Sequence, residues 1–193
     1  MKNGKLDINT MVNLVIPESI LFSERPDNLK KILQPISNTR YLFCNFYKFQ
    51  YAGAKVLAAH NGKINNKDFS EWYFPSYKKG IWCKYYELWK QDSNKAEWKF
   101  DNAYLDIFVT NINRELDRIL CLHCEPNDNS EEPKRSFKKS PHIHLKKAAE
   151  PLSKSHIPLN YSDLSEILSS IVKLNEAFIK AITILKYEVI DRL

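Results

Sequence analysis

Apolar and polar residues alternate through most of the first two thirds of the chain, the pattern of strands that bury one face. The stretch Gly80–Lys90 is the clearest case, with Ile81, Cys83 and Tyr85 alternating against Trp82, Lys84 and Tyr86. Both sets are partly apolar there, which suits a central strand or an edge covered by a helix. Met11–Ile16, Thr39–Tyr51, Lys55–His60, Glu71–Phe74, Ala96–Phe100, Tyr104–Thr110 and Arg118–Glu125 read as further strands. The pair Asn61-Gly62 predicts a tight hairpin turn directly after Lys55–His60, because these residues tolerate positive φ. Asn111–Asp117 fits either a polar turn or a single helical turn.

Two segments break this alternation. Pro26 and Asp27 suit the first turn of a short helix that runs through Leu33, before Pro35 stops it. Near the C-terminus the period changes, and Leu164, Ile171, Phe178 and Leu185 recur every seven residues. Ile167, Leu168, Leu174, Ile182 and Val189 widen that stripe on both sides. Asn160 or Ser162 can cap the helix, and Asp163 and Glu166 suit its positive end. The spacing thus predicts one long amphipathic helix over 162–192, which packs on its own sheet or docks a protein partner or a second copy of the chain. The expected fold is α+β: a mostly antiparallel β-sheet body, a short N-terminal helix and the long C-terminal helix packed on the sheet.

Composition narrows the picture. A chain of 193 residues that is 44% hydrophobic fills one core rather than two. One domain over 1–193 is expected, with a flexible N-terminus at 1–10 and a charged loop at 126–140. The apolar run Met11–Ile16 is ended by Pro17 before it could form a signal-peptide core, and no stretch approaches the ~20 apolar residues of a membrane helix. Without an export signal, Cys44, Cys83, Cys121 and Cys124 read as reduced thiols or metal ligands. These features point to a cytoplasmic protein with no membrane partner. Net charge is +6 and aromatics make up 12%, a combination that suits nucleic acid. The four glycines stand singly, so no phosphate-cradling glycine loop exists.

The candidate chemistry lies between His123 and His156. On a strand Cys121, His123 and Glu125 point one way, and His142 and His144 share a face of theirs. If these strands are neighbours, their imidazoles converge, and His156 adds another just before the helix. No cofactor is called for by the sequence, though zinc is possible, with Cys121, His123, His142 and His144 as ligands. Metal-free acid–base catalysis would use His123, His142, His144 and His156, with Lys138, Lys139, Lys146, Lys154 and Glu125 binding substrate. Phosphodiester cleavage of RNA is the reaction that pairing serves, in a ribonuclease of toxin or defence type. In the plainer reading the histidines form a polar strand face bonded to neighbours such as Glu125. A carboxylate metal site drawn from Asp101, Asp106, Glu97 and Glu87 is weaker, since nothing in the sequence brings these residues together. The functional expectation is a small basic protein acting on or beside nucleic acid. Its rival is a non-catalytic subunit or adaptor that docks through the C-terminal helix.

Overall fold

The computed structural model describes residues 13–48, 53–62, 72–91, 96–126, 141–146, 157–159 and 164–193. The N-terminal segment 1–10 and almost all of the charged loop 126–140 lie outside them. Among the described residues nine strands form one sheet: β1 (Val15–Pro17), β2 (Phe43–Lys48), β3 (Ala54–His60), β4 (Phe74–Pro75), β5 (Ile81–Gln91), β6 (Glu97–Thr110), β7 (Leu116–Cys124), β8 (His142–Leu145) and β9 (Ile157–Pro158). The helices are α1 (Glu18–Leu33), the single turn α2 (Leu164–Ile167) and α3 (Ile171–Glu188). The fold is α+β, and each strand pairing is antiparallel.

The sheet runs β2-β3-β5-β6-β7-β8-β9, with β1 on β6 and β4 on β5. One face is the core. Alternate residues Ile81, Cys83, Tyr85, Glu87 and Trp89 of β5 are buried there, with Ala103, Leu105 and Ile107 of β6 and Leu120, Leu122 and Cys124 of β7. Helix α1 adds Leu21, Leu29, Ile32 and Leu33, and α3 adds Leu174, Phe178, Ile182 and Leu185. Tyr85 meets Phe178 edge to face at 6.1 Å. Arg25 of α1 is buried beneath both helices, forked onto Glu87 and bonded to Asn175 of α3. Tyr85 Oη and Trp89 Nε1 donate to the same carboxylate at 2.6 and 2.9 Å.

Four expectations change. The first helix opens at Glu18, not Pro26, and carries Pro26 inside it; burial of Leu21, Arg25 and Leu29 along one side outweighs the backbone bond that proline removes. Strand β3 does not turn back at Asn61-Gly62, because β2 and β5 occupy both of its edges. Gly62 does take the positive φ of +85°, and a Cβ there would lie 3.0 Å from the Phe43 ring. The segments Ala96–Phe100 and Tyr104–Thr110 are one strand, β6, in which Asp101 is skipped as Leu88 pairs Asn102 and Trp89 pairs Phe100. The C-terminal helix is interrupted at 168–170, where Ser170 caps α3 by accepting from the Lys173 N–H at 3.2 Å. A serine hydroxyl competes with the helical backbone and starts a helix better than it continues one. The proposed caps Asn160 and Ser162 lie outside the described residues. Asn111–Glu115 is a turn held by the Asn111 side chain, whose Oδ1 accepts from the Asn113 and Glu115 N–H groups.

Candidate metal centre

Strands β7 and β8 are neighbours in antiparallel register, pairing Cys121 with His144 and His123 with His142. Directly opposed residues share a face of the sheet. That face is the one turned away from α1 and α3, since Leu122 between these positions and Cys124 just beyond them enter the core. The same transverse row continues through Tyr104 of β6 and Tyr86 of β5. A second row runs Lys84, Asp106, Cys121 and His144.

The imidazoles of His123, His142 and His144 therefore converge. Ring centroids lie 4.6 Å apart for His123 and His144, 5.1 Å for His142 and His144, and 5.7 Å for His123 and His142. One ring nitrogen from each falls within 4.8 Å of the other two, a group that could hold a metal ion. His142 is fully buried, and Nε2 of both His142 and His144 is buried. Burial, the rings of His144 and His142, and then the charges of Lys146 and Arg118 push His123 down to about 3. It is a neutral base at physiological pH, the form that binds metals.

Glu125 sits behind His123. Its Oε2 lies 3.9 Å from His123 Nδ1, and its Oε1 accepts from the Tyr104 hydroxyl. A carboxylate beside the outer nitrogen of a ligating histidine sets the tautomer and the ring orientation. Glu125, expected to bind substrate, stands beside His123, where it could orient that ring. Burial and Glu125 also raise the Tyr104 phenol well above its ordinary range.

Cys121 departs from the four-ligand set. It stands outside the group made by the three imidazoles and joins an adjoining one with Asp106 and His123. Its Sγ donates to Asp106 Oδ1 at 2.6 Å. Burial and that carboxylate push the thiol up to about 12, so it is protonated where it stands. The four carboxylates are divided: Glu87 is under the helices with Arg25, Glu97 stands opposite Pro17 of β1, Asp101 pairs Lys90 at 2.8 Å, and Asp106 is in the row of Cys121.

Of the other expected site residues, Lys146 is exposed at the end of β8, while Lys138, Lys139, Lys154 and His156 lie outside the described residues. His60, the fifth histidine, belongs to a different cluster. Its Nδ1 accepts from the Gly62 N–H at 3.0 Å, and its Nε2 meets Tyr47 Oη at 2.8 Å and Asn45 Nδ2 at 3.2 Å.

Sequence reasoning missed Tyr104 and Arg118, and set Asp106 aside. The parity of Tyr104 and Asp106 against Leu105 and Ile107 was a usable signal, for it puts them on the same face as Cys121 and His123 once β6 and β7 pair. Compared with protein-family models, with curated proteins and with solved structures, the chain matches none.

Proposed function

We propose that His123, His142 and His144 hold a zinc ion and that the protein is a metal-dependent phosphodiesterase acting on nucleic acid. The convergence of three imidazoles from two adjacent strands carries this reading. Around a tetrahedral zinc with bonds of ~2.0–2.1 Å, ligand nitrogens stand about 3.3 Å apart, so modest ring rotations close the gap. Three protein ligands leave a fourth position for water, which zinc makes acidic near neutral pH. Cys121 bonded to Asp106 rather than turned into the cluster supports the open position. A net charge of +6 supports a polyanionic substrate.

Elemental analysis of the purified chain is the first test, with about one zinc per chain expected and less than about a tenth sinking the reading. His142→Ala with His144→Ala should lose the metal and all cleavage of a single-stranded RNA oligonucleotide while keeping the wild-type circular dichroism. Chelation should stop cleavage in wild type, and added zinc should restore it. Cleavage that survives both treatments would rule out the metal mechanism.

A second reading, docking of a protein partner or a second copy along α3, is favoured by Val172, Ile179 and Tyr187, which are 59%, 49% and 57% exposed on a helix whose other side is core. Sedimentation of wild type beside Ile179→Lys tests self-association; identical monomeric behaviour removes the second copy as the occupant.

A further inference from the structure

Arg118 reaches the site face because β7 carries one extra residue. From the pair Asp106↔Cys121 to the pair Phe108↔Arg118, β6 advances two residues and β7 three. An unbroken ladder would turn Arg118 the same way as Leu120, toward the helices. Bulges re-aim side chains in this manner, and they concentrate beside active sites. Here the bulge sets the guanidinium 3.5 Å from Asp106 with its side chain 46% exposed.

Two lysines share that end of the site. Lys84 stands directly across from Asp106 on β5, with its ammonium 5.9 Å from the Tyr73 ring centroid. Lys146 follows β8, and its N–H donates to the carbonyl of Ile119 within the bulge at 2.9 Å. The charges of Arg118 and Lys146 both bear on His123. Among the described residues Arg118 pairs with Asp106, and Lys84 and Lys146 flank that pair in the strand register, while Glu125 and Tyr104 lie toward the other end of the imidazole cluster.

We propose that Arg118, Lys84 and Lys146 form a phosphate subsite abutting the three-histidine centre, and that it receives the phosphate group of a phosphodiester. The inference rests on the metal reading above for what stands on the other side of that phosphate. The guanidinium offers a planar fork matched to two phosphate oxygens, and the ammonium groups act as point charges. Asp106 holds the fork in place from behind. This gives the site a direction, with phosphate at the bulge and the orienting carboxylate opposite.

Calorimetric titration of inorganic phosphate into metal-free and zinc-loaded protein tests it, using wild type, Arg118→Gln, Lys146→Gln and the double variant. Wild type should bind one phosphate, each single variant roughly tenfold more weakly, and the double variant more weakly still, with zinc content unchanged. Dimethyl phosphate should compete with phosphate in wild type; failure to compete overturns the diester assignment. No phosphate binding by wild type, or a double variant that binds as wild type does, overturns the subsite. If the chain takes up no zinc the metal reading fails, and the metal-free titrations alone decide the subsite. If zinc is held and the double variant still binds phosphate as wild type does, the subsite fails and the metal reading stands.

Discussion

The two faces of the sheet each bury a polar cluster, and the clusters are composed by opposite rules. Under the helices, one cation meets one anion: Arg25 is forked onto Glu87, and Tyr85, Trp89 and Asn175 complete the set. Such a group is electrically closed, because the one positive and the one negative charge are each other's complement within it. On the other face three imidazoles gather, all bases, with Glu125 3.9 Å behind one of them. Three imidazoles so placed could hold a metal ion, and on the proposed reading one cluster is structure and the other a binding site.

The largest way to break the comparison is on the helix side. Glu87→Leu strands the Arg25 charge in the core, and loss of one partner from a buried pair costs about 3–5 kcal/mol. The double change Arg25→Met with Glu87→Leu removes both charges and should recover most of that stability. Chemical denaturation reads both. A single variant as stable as wild type would mean the pair is not closed as described.

On the site face the corresponding experiment is addition, not deletion. Zinc at a hundredfold excess over its Kd should stabilise wild type by about 2.7 kcal/mol, because it binds only the folded chain. His142→Ala with His144→Ala should lose that gain entirely. Metal-dependent stabilisation that persists in the double variant would place the ion elsewhere.

How much of this was legible in the sequence differs between the faces for a physical reason. Strand alternation is local, so the core positions of β5, β6 and β7 could be read directly, and so could the shared parity of Cys121 with His123 and of His142 with His144. Irregularities defeat parity. The skipped Asp101 made β6 look like two strands, and the extra residue in β7 hid Arg118, whose parity assigns it to the core. Cys121 was expected among the zinc ligands from its parity with His123, and its bond to Asp106, fifteen positions earlier, arises only through strand pairing. Pro26 and Ser170 misplaced helix ends in opposite directions. Packing of Leu21, Arg25 and Leu29 carried a helix through the proline, whereas the Ser170 side chain starts a new helix by accepting from the Lys173 N–H.

Acid sharpens the contrast further. His123 is held down to about 3 by burial and its neighbours, against about 6.5 in an unfolded chain. The unfolded state therefore binds a proton that the folded state refuses. Stability from this source is complete above pH ~6.5 and drains as pH falls toward 3, at up to about 1.4 kcal/mol per pH unit. Metal-free wild type and His123→Gln, compared by denaturation between pH ~5 and ~7, should differ by this slope, ahead of most carboxylate titration. Equal slopes would show that the ring is solvated in the unloaded protein.

The smallest expected effect tests whether the faces are independent. Ser170 starts α3 by accepting from the Lys173 N–H, and its replacement by alanine leaves a first-turn donor without that acceptor, at a cost of about 1 kcal/mol. Helix α3 supplies Asn175 to the closed cluster but no residue to the imidazoles, which sit across the thickness of the sheet. Ser170→Ala should therefore lower stability in denaturant while zinc affinity stays within about twofold of wild type, since distant sites that share no partners act additively. A larger change in zinc affinity would mean that strain in the helix layer passes through β7 to His123, and the two clusters would then have to be treated as one.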